Sequence, residues 1–174
     1  MGNIYLVGFM GTGKTAVGRE VARRKEWQFV DLDELIELKE KCAIPDIFAR
    51  KKEPYFRKAE KAALKEVSTE KNLVVACGGG IVTDKDNISI MKKTGIIVCL
   101  TAAPDVILKR TSGYMHRPLL NVRDPKKQVE LLLKLRAPYY ALADKSIDTS
   151  RISIAEVAEG ILKIIPPQRP RRVK

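Results

Sequence analysis

The stretch Gly8-Phe9-Met10-Gly11-Thr12-Gly13-Lys14-Thr15 constrains this chain more than any other. It follows an apolar run, Asn3–Val7, and leads into an amphipathic pattern over Lys14–Lys25. Glycines let a backbone wrap closely round an anion, so that successive N–H groups turn inward. The helix that follows adds its positive N-terminal end. G-x-x-x-x-G-K-T between a strand and a helix therefore predicts a nucleotide phosphate site. Gly11, Thr12, Gly13, Lys14, Thr15 and Ala16 are its candidate residues, with Lys14 reaching the terminal phosphates and the Thr15 hydroxyl serving Mg²⁺. Nucleotide binding alone does not name a reaction, because transporters, GTPases and small-molecule kinases share this loop.

A strand that opens with such a loop needs partners, and the rest of the chain supplies them. Candidate strands are Asn3–Val7, Gln28–Val30, Leu73–Ala76, Gly95–Leu100 and Lys145–Asp148. Helical patterns lie between and after them, near Lys14–Lys25, Asp33–Lys41, Glu53–Thr69, Asp84–Lys93, Pro104–Thr111, Pro125–Ala143 and Ser153–Ile164. This alternation predicts an α/β fold of three layers, helices on both faces of a mainly parallel sheet. Gly95–Leu100 shows no polar alternation, as expected of a strand covered on both sides. Two stretches exceed what a simple crossover needs. One is Asp33–Thr69, with two or three helical pieces. The other is Ser112–Asp124, S-G-Y-M-H-R-P-L-L-N-V-R-D, whose length and punctuation suit a lid or binding loop.

Size narrows the function. With 174 residues the chain suits one domain, over 1–165, followed by a basic proline-rich tail over 166–174. That leaves no room for a separate substrate domain, and no N-K-x-D guanine motif occurs, so loops of this one domain must hold the second substrate. The formal net charge is +12, and five of the positives (Lys163, Arg169, Arg171, Arg172, Lys174) follow the last acid, Glu159. This balance suits anionic partners; without a recognisable nucleic-acid-binding motif, a nucleic-acid-binding NTPase is the disfavoured alternative. No apolar run approaches the roughly 20 residues of a membrane span, and no signal-peptide pattern opens the chain. Cys42, Cys77 and Cys99 match no zinc or redox spacing and fit reduced thiols in a cytoplasm, with Cys77 and Cys99 in the core. Trp27 is expected in the core as well.

Further candidates lie beyond the loop. Asp31 and Asp33 end the second strand, where ligands gather in open α/β sheets. Residues two apart on extended backbone share a face, so both carboxylates would look toward the phosphate loop. Asp33 equally suits the cap of a helix beginning at Glu34, and spacing leaves site and cap open. Arg57 and Glu60, three apart, are helix neighbours, a spacing that surface ion pairs also show. Gly78-Gly79-Gly80 follows the third strand and permits close backbone approach to a ligand, or simply a wide turn.

Taken together, Gly8–Thr15, Asp31-Leu32-Asp33, Phe56-Arg57-Lys58-Ala59-Glu60, Gly78–Gly80, Arg117-Pro118-Leu119-Leu120 and Arg136 with Tyr139 resemble the shikimate kinase family. The likeness implies a P-loop fold like that of the nucleoside monophosphate kinases, with a five-stranded parallel sheet. It also implies a substrate-binding segment at about 33–60, a mobile lid at about 112–124, and ATP-dependent phosphorylation of the shikimate 3-hydroxyl. Carried over by position, Asp33 would bind and orient, or deprotonate, the attacking hydroxyl. Arg57 and Arg136 would hold the carboxylate, Glu60 would orient Arg57, and Gly79 would offer its N–H. Asp31 would support one Mg²⁺ beside Thr15. Lys14 and Arg117 would stabilise the transferring phosphoryl, and Arg110 would pack on adenine. His116 is expected at the lid surface. A cytoplasmic monomer with ATP and shikimate as partners, and neither membrane nor nucleic acid, completes the expectation. One departure stands out: Lys52 occupies a position where the family usually has Gly.

Overall fold

The computed structural model describes residues 2–112 and 124–165. Five strands run Asn3–Val7 (β1), Gln28–Asp31 (β2), Leu73–Ala76 (β3), Gly95–Thr101 (β4) and Lys145–Asp148 (β5). They form one sheet in the order β2-β3-β1-β4-β5, every pairing parallel. The helices among the described residues are Lys14–Lys25 (α1), Leu32–Glu40 (α2), Ile44–Val67 (α3), Lys85–Thr94 (α4), Pro104–Thr111 (α5), Pro125–Tyr140 (α6) and Ile154–Ile164 (α7), with a 3₁₀ turn at Ile81–Thr83. The expected α/β sandwich is present.

Strand alternation divides the core in two. Tyr5, Val7, Val75, Cys77, Ile97 and Cys99 face α2, α3, α4 and Tyr140 of α6. Ile4, Leu6, Val74, Val98 and Leu100 face Val17, Val21 and Ala22 of α1 and Val157, Ala158 and Ile161 of α7. Central strands are thus apolar on both faces, which is why they read as unbroken apolar runs. Trp27 is only partly buried, at the edge of the second cluster, with Lys25 Nζ 5.0 Å from its ring centre.

Register then brings the active ends together. Asp31 pairs with Ala76, and Ala76 with Leu6, so β2, β3 and β1 end level. The segments after them (Asp31–Asp33, Cys77–Gly80 and Gly8–Gly13) emerge side by side at the carboxyl edge of the sheet, as ligand sites in open α/β sheets do.

The substrate-binding segment departs from expectation. Helix begins at Ile44 rather than near Glu53, and the 24-residue α3 is two helices joined at Lys52. Lys52 has φ 69° and ψ 168°, a conformation that glycine takes readily and a side chain resists. Its Nζ donates to Ala49 O at 3.2 Å, closing the end of the first piece. Pro54 follows the break, near the start of the second piece, where a missing N–H is tolerated.

Candidate active site

The phosphate loop closes on itself before it meets anything else. Gly11 and Gly13 have φ of 76° and 94°, open to glycine without strain. Thr12 is buried and its hydroxyl donates to Phe9 O at 2.7 Å. Lys14 Nζ folds back across the loop and donates to the carbonyls of Gly8 and Phe9, 2.9 Å each. Thr15 and Ala16 stand exposed in the first turn of α1. At the rim, Arg110 is exposed in the last turn of α5, with its guanidinium bonded to neighbouring segments. Its Nη1 donates to Thr149 Oγ1 at 3.0 Å and to Gly11 O at 3.3 Å, and its Nη2 to Thr149 O at 2.7 Å.

Asp31, not Asp33, caps the second helix. Asp31 Oδ1 accepts the Asp33 N–H at 3.0 Å, and Oδ2 accepts the Thr15 hydroxyl at 2.8 Å. One carboxylate thus starts α2 and reaches the phosphate loop. The chain leaves extended geometry at Leu32, whose side chain must enter the core, so the two aspartates do not share a strand face. Asp33 instead sits inside the first turn, with Oδ1 buried and without a hydrogen-bond partner among the described residues. Burial, then the charge of Asp31, pushes its carboxyl from 3.8 up to about 6, while Lys14 acts in the opposite sense.

Arg57 and Glu60 are not a surface pair either. Glu60 is 1% exposed, and its Oε2 accepts from Arg57 Nη1 at 2.7 Å. Burial raises the Glu60 carboxyl to about 6 against the opposing charge of Arg57, and its Oε1 has no partner among the described residues. Glu53, which sequence reasoning passed over, takes Arg57 Nε and Nη2 on its Oε1, at 3.2 and 3.0 Å. Its i, i+4 spacing from Arg57 was the available signal. Of the five guanidinium N–H donors, these bonds use three, leaving one on each terminal nitrogen, an arrangement suited to a carboxylate.

The glycine run has to be bare. A Cβ on Gly78 would lie 2.6 Å from Glu60 Oε1 and 3.1 Å from Asp33 Oδ1, and one on Gly80 would lie 2.5 Å from Arg57 Nη2. Gly79 meets Arg136 Nη1 and Gly8 O, each 3.3 Å from where its Cβ would be. The Arg136 guanidinium lies over the Phe9 ring, 5.6 Å from its centre. Asp33, Arg57, Gly79, Arg136 and Lys14, scattered in sequence, therefore form one surface, and a cavity of about 660 Å³ opens beside Arg57, Glu60 and Gly80. Tyr139, named from its place after Arg136, is exposed, and the buried neighbour of the site is Tyr140. Arg117, His116 and most of the expected lid lie outside the described residues.

Thr15 and Asp31 offer hard oxygen donors of the kind Mg²⁺ takes. Among the described residues no cluster of three or more His, Cys, Asp or Glu is poised to hold a metal.

The family model for shikimate kinase matches residues 10–166, nearly the whole chain. The chain belongs to the shikimate kinase family. Curated relatives agree: a shikimate kinase of Caldanaerobacter subterraneus subsp. tengcongensis is 47% identical over 94% of this chain and 95% of its own length. One from Thermoanaerobacter pseudethanolicus is 44% identical over the same shares. The solved structure of the Acinetobacter baumannii shikimate kinase in complex with shikimate superposes with a TM-score of 0.90 and 40% identity, covering 94% of this chain and 92% of that one. As a member of the shikimate kinase family the chain is a kinase, a transferase that uses ATP. No helix among the described residues is long and apolar enough to cross a membrane.

Proposed function

We propose that this chain transfers the γ-phosphoryl of ATP to the 3-hydroxyl of shikimate, giving shikimate 3-phosphate and ADP for aromatic amino acid (chorismate) biosynthesis. The observation that carries the reading is the convergence of Asp33, Arg57 and Arg136 on the glycine run Gly78–Gly80, which abuts the phosphate loop at Gly8. The shikimate bound to the Acinetobacter baumannii relative supports the choice of substrate.

Asp33 receives the attacking hydroxyl. Its carboxyl, raised to about 6, is ionised at neutral pH yet basic enough to take the proton as the oxygen attacks phosphorus. The bond from the γ-phosphorus to the β,γ-bridging oxygen breaks and ADP leaves with the electron pair. Arg57 offers the two donors that Glu53 and Glu60 leave it to the substrate carboxylate, and Arg136 takes the same group from α6. Gly79 offers its N–H to a substrate oxygen. Lys14, the loop amides of Gly11, Thr12 and Gly13, the residues Thr15 and Ala16 behind them, and Arg117 surround the phosphates; Arg110 flanks the base. Lys14 and Arg117 supply the charge that this chemistry mostly depends on. Thr15 and Asp31 would hold one Mg²⁺, which would neutralise phosphate charge when bound. The named groups all come from one chain, so the working unit is taken as a monomer, in the cytoplasm.

A coupled ADP-release assay with shikimate, gluconate and nucleoside monophosphates tests this. Turnover with shikimate alone is the expected result, and its absence would end the proposal.

A further inference from the structure

Three glycines in a row have no side chains to fix their peptide planes, so hydrogen bonds must do it. Gly78 O accepts from Ile81 N at 3.2 Å, and Gly80 O accepts from the Thr83 N–H and hydroxyl at 3.1 and 2.8 Å. All three bonds come from the 3₁₀ turn that follows. Gly79 O, by contrast, receives the Tyr140 hydroxyl at 2.7 Å, across 61 residues of sequence. Tyr140 is 8% exposed and packed in the larger core cluster. Burial raises its phenol to about 12, so it remains a protonated donor at any physiological pH.

Tyr140 lies one helical turn after Arg136, so the two side chains share a face of α6. Both close on Gly79: Tyr140 holds its carbonyl, and Arg136 Nη1 lies against its Cα. The same glycine abuts Gly8 O of the phosphate loop. Tyr140 therefore ties the helix that carries one arginine to the peptide that faces the phosphates.

We propose that Tyr140 is a positioning residue for the substrate acid: its phenol holds the carbonyl of Gly79, ties that residue to α6, and so sets the separation at which Arg136 and the Gly79 N–H engage one substrate. The inference rests on the assignment of Arg136 and Gly79 to substrate binding, and its test separates the two. Tyr140→Phe keeps the ring in the core and removes only the donor. In the ADP-release assay, the KM for shikimate should rise about five- to tenfold, roughly what one buried hydrogen bond is worth. The kcat should stay within about twofold and the KM for ATP should not change. Arg136→Ala should raise the shikimate KM further, and adding Tyr140→Phe to it should cost less than it does alone, because the partner it positions is gone. An unchanged shikimate KM in Tyr140→Phe, with only a lowered melting temperature, would overturn the inference and leave a structural role. Equal loss of ATP and shikimate binding, read by the thermal shift each ligand produces, would overturn it too. If Arg136→Ala itself left the shikimate KM unchanged, the underlying assignment of Arg136 would be what fails.

Discussion

Replacing Asp33 by Asn should stabilise the free protein while abolishing its turnover. Asp33 Oδ1 is buried without a donor, and the carboxyl is raised from 3.8 to about 6. The folded chain thus binds this proton more tightly than the unfolded chain does. On that account the ionised group opposes folding at neutral pH. The penalty is absent below the unfolded value, grows as pH rises from 3.8 through 6, and is constant above. At 1.36 kcal/mol per pH unit the difference amounts to about 3 kcal/mol, and water reaching the partly exposed side chain reduces this to about 1–2 kcal/mol. Asn carries no charge, so at pH 7.5 Asp33→Asn should melt about 2–8 °C higher than the parent. The gain should fall to roughly half at pH 5 and nearly vanish at pH 4. Scanning calorimetry without ligands, at those three pH values, measures it. In the same variant kcat should drop at least about a hundredfold while ATP binding persists. A melting temperature lowered at pH 7.5 by a cap's worth, about 1 kcal/mol, would refute the burial argument.

Other substitutions separate the remaining roles. Asp31→Asn keeps a good cap, so stability should hold within about 0.5 kcal/mol while the Mg²⁺ concentration needed for half-maximal rate rises. Asp31→Ala should also lose about 1 kcal/mol of stability, read by urea denaturation. Lys52→Gly should relieve roughly 1–3 kcal/mol of backbone strain against about 0.5–1 kcal/mol of added chain entropy. The net is a melting temperature about 2–4 °C higher, and no change would mean that the left-handed lysine is unstrained. Arg57→Ala should raise the shikimate KM by about tenfold or more and leave the ATP KM alone, measured by steady-state kinetics.

How much of the site was legible follows from the range of the interactions. Strand and helix positions came through closely because the pattern of apolar residues is set by a few neighbours along the chain; β1 and β3 match their apolar runs. The phosphate loop was legible because its glycines are needed locally, by left-handed backbone at Gly11 and Gly13. Less visible was the first piece of α3, whose start at Ile44 depends on Ile47 finding the core under α2. Cap and site could not be told apart at Asp31 and Asp33, since the two readings differ only in where the chain leaves extended geometry. Burial of Leu32 settles that point, and burial is a property of the whole fold.

The sequence by itself determined an α/β sheet with a phosphate loop after its first strand and a set of charged residues resembling one kinase family. Those features rest on local periodicity and on residue types that few other arrangements tolerate. Only the tertiary structure decided that Asp31 caps while Asp33 turns a carboxyl oxygen inward, that Glu60 is buried where it holds Arg57, and that Tyr140 rather than Tyr139 reaches Gly79. Each of those outcomes depends on which side chains lose water when distant segments pack, and desolvation between residues as far apart as Gly79 and Tyr140 leaves no trace in the spacing along a chain.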